Sequence, residues 1–265
     1  MLNAPFCWVG GKHRLRGEII RRLPKHTCYV EVFGGAGWVL FGKEPSKAEV
    51  YNDVDGELVN FFRVVKNCHR AFVLAFDLLL ISRRMFHDFL HTDPADLDEI
   101  QRAVRFYYII QSSFARKWDT PSFGYAKTLG PGLDLEGICE TLTGIHKRLR
   151  HVYIEEGSFS EVIARYDGPE TCFFLDPPYY QVSGGYQHNL VADDYKKLLK
   201  ELRNIEGKFI LTINDHPDMR ELFSEFIIEE VEVSYSISRD LDSRGKYGEL
   251  MIRNYNDTGQ IRLEM

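Results

Sequence analysis

Cysteines are few in this sequence, and no two of them are spaced C-x-x-C. The five present, an odd count, supply neither a disulfide framework nor a zinc site. They read as small core fillers of a protein kept in a reducing cytoplasm. Long hydrophobic runs are missing as well: no stretch approaches the roughly eighteen apolar residues of a membrane helix, and the first residues lack the charged and apolar regions of a signal peptide. Membrane spans and secretion are therefore not expected. Nor is there an excess of positive charge. With 33 Lys and Arg against 39 Asp and Glu, the formal net charge is −6 and the pI is near 5.9. That balance counts against indiscriminate polyanion binding without excluding a basic patch. Internal repeats and low-complexity segments are absent too.

What the chain does have is apolar content. At 265 residues and 44% hydrophobic, it can bury an ample core, either as one large α/β domain or as a domain carrying an inserted subdomain. Its basic residues are grouped: Lys12, Arg14, Arg16, Arg21, Arg22 and Lys25 near the start; Arg105, Arg116, Lys117 and Lys127 in the middle; Lys147, Arg148 and Arg150 next; and Arg239, Arg244 and Lys246 towards the end. Each group alone reads as a solvated face, and only convergence in three dimensions would make a groove.

Periodicity alternates between strand and helix. Cys28 to Phe33 reads as a buried strand, followed by a glycine turn at Gly34-Gly35-Ala36-Gly37 and a short helix from Trp38 to Lys43. A second strand, Lys47 to Tyr51, ends at Asn52-Asp53 before a helix from about Val54 to Lys66. From 68 to 150 amphipathic stretches dominate, broken by prolines and glycines, which predicts a helical insertion. Alternation resumes with strands at Val152 to Glu155 and Thr171 to Leu175, a helix from Ala192 to Arg203 and a strand from Lys208 to Ile213. Val231 to Ile237 and Glu249 to Asn254 look like a long hairpin. The fold class expected is α/β: a doubly wound, mostly parallel sheet with an antiparallel edge hairpin and a helical insertion.

The chemistry concentrates at Asp176-Pro177-Pro178-Tyr179-Tyr180, directly after an apolar strand. Consecutive prolines fix φ, donate no hydrogen bond and cannot continue a central strand, so the chain must leave the sheet in a stiff extended turn. The carboxyl ends of strands are where open α/β sheets bind ligands. There the Asp176 carboxylate and the Pro177 carbonyl are two acceptors matching the two hydrogens of an amino group, and Tyr179 offers a face for a planar ring. As an isolated match this would be only a surface turn. A second candidate site is Glu31-Val32-Phe33-Gly34-Gly35-Ala36-Gly37, a strand and a turn whose glycines admit a ligand close to the backbone. Asp53, ending the next strand, is placed either to bind ribose hydroxyls or to cap the following helix; the ribose is favoured.

Together with Trp8-Val9-Gly10-Gly11-Lys12, Asn52-Asp53 and the closing Ser236-Ile237-Ser238 to Glu249-Leu250 segment, these motifs stand in the order found in Dam-like DNA adenine-N6 methyltransferases of the D12 class. The chain resembles the phage and prophage members of that family over nearly its whole length. The resemblance implies a class I methyltransferase fold, with residues 1–67 and 151–265 as catalytic domain and 68–150 as target-recognition insertion. It implies S-adenosylmethionine as cofactor, held by Trp8, Gly10, Lys12, Glu31, Phe33, Gly35, Gly37 and Asp53. Asp176, Pro177 and Tyr179 would grip a flipped-out adenine, and no metal is called for. Read without the family, Trp8 is ordinary core and Lys12 a solvated helix start.

Double-stranded DNA is the partner so implied, with Pro178, Tyr180, Phe114, Arg116, Lys117, Lys127, Arg239 and Arg244 as candidate contacts. A cognate restriction endonuclease would be a functional partner if the enzyme protects rather than acts alone. Where GATC-specific relatives carry an aromatic followed by Asn-Gly, this chain has Phe114-Ala115, so the resemblance does not carry that target over. Phe114 is equally suited to wedge into a duplex or to pack inside the insertion. Three other readings stand beside this one. An RNA or protein amino-group methyltransferase shares the glycine and Pro-Pro-Tyr turns but lacks such an insertion. A non-catalytic module binding S-adenosylmethionine or DNA would carry a damaged catalytic motif, whereas Asp176 to Tyr179 is intact. A nicotinamide-dependent oxidoreductase would need the G-x-G-x-x-G spacing missing here.

Overall fold

A computed structural model describes residues 1–8, 10–114, 118, 120–124, 132–135, 137–182, 189–233 and 247–256. Its frame is a seven-stranded sheet in the order β3-β2-β1-β4-β5-β7-β6. The strands are β1 Cys28–Glu31, β2 Ala48–Asp53, β3 Val152–Glu156, β4 Thr171–Leu175, β5 Lys208–Asn214, β6 Ile227–Val233 and β7 Tyr247–Arg253. β1 to β5 are mutually parallel where they pair, and β7 runs antiparallel between β5 and β6. The expected hairpin is therefore present at the sheet edge. It begins at Ile227, four residues before the sequence reading placed it.

Both faces of the sheet are covered, which is why β4 reads as the unbroken apolar run Thr171-Cys172-Phe173-Phe174-Leu175, buried throughout. Alternate residues serve opposite layers. Tyr29, Tyr51, Phe174, Ile210 and Met251 face one core, and Val30, Val50, Phe173, Leu211 and Ile252 face the other. The first layer is built by α1 Arg16–Arg22, α2 Trp38–Gly42 and α3 Gly56–Asn67, and the second by α8 Phe159–Tyr166, α9 Ala192–Asn204 and α10 Pro217–Leu222.

The α-helices described within residues 68–150 are α4 His69–Leu74, α5 Arg83–His91, α6 Glu99–Ser112 and α7 Ile138–Leu149. They share the first core rather than enclosing one of their own. Phe61 of α3 stacks on Tyr107 of α6 with centroids 5.5 Å apart and planes 3° from parallel, and it also meets Phe106 at 5.8 Å. Local signals fix several helix starts. Asp98 and Gln101 form a capping box at α6, and Ser158 and Glu161 form another at α8.

Several sequence expectations are corrected here. Among the cysteines only Cys172 is buried, and Cys7 and Cys139 are exposed, so the chain does not use them uniformly as core. Arg105 is buried and donates to the Phe89 carbonyl at 2.7 Å, while Arg148 is committed to Glu49 and the Leu40 carbonyl. Neither belongs to a basic surface. Among the described residues no helix is long and apolar enough to cross a membrane.

Candidate active site

The parallel register brings three acidic strand ends to one edge. Glu31, the last residue of β1, pairs across with Tyr51 and Phe174, so Asp53 at the end of β2 and Asp176 just past the end of β4 both stand two residues further along the same edge. A cavity of about 270 Å³ opens there; Trp8, Lys12, Glu31, Phe33, Asp53 and Asp176 are among the residues lining it. Lys12, read without the family as a solvated helix start, is 4% exposed. Its ammonium sits 2.6 Å from Asp176 Oδ1 and 3.0 Å from Glu249 Oε1, and it donates to the Gly10 carbonyl at 3.2 Å. Trp8 is half-buried against Phe6 and Phe106 yet still lines the cavity, so packing and cavity wall are one role.

The glycine turn is held open from outside. A Cβ on Gly34 would fall 2.2 Å from the Tyr51 ring, and Gly35 has φ +50°, with its carbonyl accepting the Tyr51 hydroxyl at 2.7 Å. Gly10 and Gly37 also take positive φ. Asp53 accepts from the backbone N–H of Gly35 at 2.8 Å and of Asp55 at 3.0 Å. The helix cap that competed for Asp53 belongs instead to Asp55, which accepts from Glu57 and Leu58 at the start of α3. Phe33 lies half-buried against Phe159 at 5.9 Å.

Electrostatics divide the acids. Burial pushes the Glu31 carboxyl up to about 8, against the opposing effects of the Tyr29 hydroxyl and the Leu40 N–H, each 2.8 Å from Oε2. Burial also raises Asp53, although the backbone donors of Asp55 and Gly35 work the other way. Asp176 is raised by burial too, less so because the Lys12 ammonium and the Thr212 hydroxyl, 2.9 Å from Oδ1, favour its charged form. Burial opposes the Lys12 charge, but Asp176 and Glu249 outweigh it and hold its pKa well above the ordinary lysine range.

The Pro-Pro-Tyr loop is braced at several points. The Tyr195 hydroxyl donates to the Pro178 carbonyl, and Asn214 exchanges hydrogen bonds with the Tyr180 backbone at 2.8 and 3.1 Å. Among the described residues no hydrogen bond ends on the Pro177 carbonyl. Gln181 follows at φ +56°, turning the chain away. Tyr179 lies beside Lys12, its hydroxyl 3.3 Å from the ammonium. Tyr180 packs against Tyr195 and His216 and donates to Asp218 at 3.0 Å, a bracing position for a residue expected at the DNA.

Phe114 is 67% exposed, with its backbone fixed by a 2.7 Å bond to the Ser122 carbonyl, so the alternative of internal packing fails. Arg116, Lys117, Lys127, Arg239 and Arg244 lie outside the described residues. Sequence reasoning missed Thr212, Asn214, Tyr195, Trp118 and Glu249. The polar ends of β5 carried a weak signal, but β7 runs in reverse, so Glu249 reaches the same edge from the beginning of its strand, opposite Asn214.

The family model for D12 class N6 adenine-specific DNA methyltransferases matches residues 8–237, which takes in every described element of this site before β7. The chain belongs to that family. Methyl transfer to the N6 amine of adenine in DNA is accordingly the activity of this enzyme. The D12-class chain is 25% identical to the Type II methyltransferase M1.LlaDCHI of Lactococcus lactis subsp. cremoris, over 96% of each protein. It is 25% identical to the DNA adenine methylase of Escherichia coli K12, over 92% of each. With the DNA N-6-adenine-methyltransferase of Escherichia phage P1 it shares 27% identity, over 91% of this chain and 34% of that one.

Proposed function

We propose that S-adenosylmethionine occupies the cavity between the glycine turn and Asp176, and that the Asp176 loop presents a flipped adenine to it. The residues fit this cofactor. Gly35 forms a cradle that a side chain would fill, since a Cβ there would stand 3.0 Å from Trp8 Cδ1. Asp53 is fixed by backbone donors while keeping lone pairs for ribose hydroxyls, and Trp118, also lining the cavity, has an Nε1 without an acceptor among the described residues. When bound, S-adenosylmethionine supplies a methyl group activated on sulfonium, its S–C bond breaking with the electron pair left on sulfur as the N6–C bond forms.

The observation that carries the acceptor side is the pairing of a half-buried, lysine-held Asp176 with an unengaged Pro177 carbonyl on a braced loop. The adenine amine is a poor nucleophile because its lone pair is delocalised, and in duplex DNA it is also paired, so the base must leave the stack. Two acceptors taking its N–H bonds orient the lone pair and stabilise the positive charge that develops on nitrogen. The proton leaves to solvent afterwards. Tyr179 offers its ring as a stacking face, and exposed Phe114 on the helical segment is a wedge for the vacated stack. We assign target recognition to residues 68–150 on that basis.

The test is single-molecule sequencing of DNA from a methylation-deficient host expressing this chain. A single N6-methylated motif is expected and would supply the target sequence. Soluble, cofactor-binding protein with no modified adenine would return the case to an RNA amino-group methyltransferase or a non-catalytic binding module.

A further inference from the structure

We infer that Glu249 is a positioning residue for methyl transfer: through Lys12 it fixes the orientation of Asp176 and keeps the catalytic cluster anionic. The inference rests on the proposed role of Asp176 as acceptor for the adenine amine. Three charged groups meet in one buried place. The Lys12 ammonium lies 2.6 Å from Asp176 Oδ1 and 3.0 Å from Glu249 Oε1, and the Lys12 and Glu249 side chains are each 3% exposed against 16% for Asp176. Neither Glu249 oxygen receives a well-aligned hydrogen bond among the described residues, although the Tyr179 hydroxyl is near enough to favour the ionised form. A buried carboxylate with so little hydrogen bonding is costly to keep. Its close counter-charge among the described residues is Lys12.

Asp176 Oδ1 is already occupied by Lys12 and by the Thr212 hydroxyl at 2.9 Å. Oδ2 is the oxygen left for an incoming amine. An ammonium that answered to Asp176 alone would neutralise it and weaken its pull on a nitrogen gaining positive charge. Shared with Glu249, the same ammonium steadies the carboxylate while the cluster of two acids and one base carries a net negative charge, which is the sign that stabilises such a nitrogen. Glu249 reaches this place because β7 is antiparallel, bringing its first residues to the edge where β4 and β5 end.

The experiment measures single-turnover methyl transfer against pH, with saturating cofactor and DNA, for wild type, Glu249→Gln and Lys12→Met, alongside S-adenosylmethionine affinity and a carbon-13 carboxyl titration of Asp176. The groups facing Asp176 are Lys12 from the amino-terminal segment, Glu249 from β7, Glu31 from β1, Tyr179 from its own loop and the non-titrating Thr212 from β5. Removing the Glu249 charge takes a like charge from beside Asp176, so the acidic limb and the Asp176 titration should both move to lower pH. Removing the Lys12 charge leaves burial unopposed and moves both to higher pH, each displacement on the order of one pH unit. The Glu249→Gln rate should fall on the order of tenfold or more, with cofactor affinity unchanged.

Opposite displacements are not what a merely structural pair would give. A wild-type rate and profile in Glu249→Gln, beside a wild type that methylates N6, overturns this inference alone. Should Glu249→Gln not fold, a Lys12→Met profile that stays at the wild-type position or moves to lower pH overturns it equally. A wild type with no N6 methyl transfer overturns the proposed function and this inference with it.

Discussion

Replacing Glu31 with Gln should make the protein more stable at alkaline pH, and the size of the effect follows from where Glu31 sits. The side chain ends β1, is 2% exposed, and directs Oε2 at the Tyr29 hydroxyl and the Leu40 N–H. Glutamine keeps an acceptor for both donors and removes the charge. Burial moves the carboxyl from an ordinary value of 4.5 to about 8 in the folded chain. A carboxylate raised on folding binds its proton more tightly in the native state. Its contribution to stability is therefore complete below pH 4.5 and is lost as pH rises through about 8. At about 1.4 kcal/mol per pH unit, the loss totals about 5 kcal/mol once Glu31 is fully ionised. Urea unfolding of the ligand-free protein from pH 5 to 9 measures it: wild type should lose several kcal/mol over that range that the variant retains. Parallel stability curves would show that Glu31 is not held protonated by burial, and would remove the electrostatic reading of that side of the cavity.

Gly35→Ala should cost about 1–2 kcal/mol from the left-handed backbone, and it should weaken S-adenosylmethionine binding by calorimetry, because the new Cβ presses on Trp8. Wild-type affinity would argue against the cradle. Glu49 joins Lys43 at 2.5 Å and Arg148 of α7 at 2.8 Å in a buried cluster. Glu49→Ala, leaving two buried cations unpaired, should therefore destabilise the fold by about 3–5 kcal/mol in urea titrations, and a loss below 1 kcal/mol would contradict the burial of that cluster. Phe114→Ala should reduce methylation of a fully paired site far more than of the same site with a mismatch opposite the adenine, since a mismatched base leaves the stack more easily. An equal loss on both substrates would place Phe114 outside base extrusion.

The architecture was readable because it rests on periodicity. Strands β1, β2, β4 and β5 are covered on both faces, β4 and β5 appear as apolar runs, and the helices flanking them carry apolar stripes. Short, locally capped helices such as α8 and α10 escaped, although the Ser158–Glu161 box was a signal in plain view. Asp176, Asp53 and the glycine turn were legible because parallel strands deliver their carboxyl ends to one edge. Lys12 was not legible from local sequence, since its burial depends on two acids over 160 residues away in the chain. Arg105 and Arg148 misled for the converse reason: a basic residue on an amphipathic helix looks solvated until its partner, the Phe89 carbonyl or the Glu49 carboxylate, is known.

The central claim is that Asp176 and the Pro177 carbonyl present the adenine amine for methylation. It is tested most directly by incubating purified wild type and Asp176→Asn with S-adenosylmethionine and duplex DNA, then measuring N6-methyladenine by mass spectrometry of the digested nucleosides. Wild type should accumulate N6-methyladenine, while Asp176→Asn, with cofactor affinity and melting temperature near those of wild type, should fall by a factor on the order of a hundred or more. Comparable N6-methyladenine from the two proteins would contradict the account.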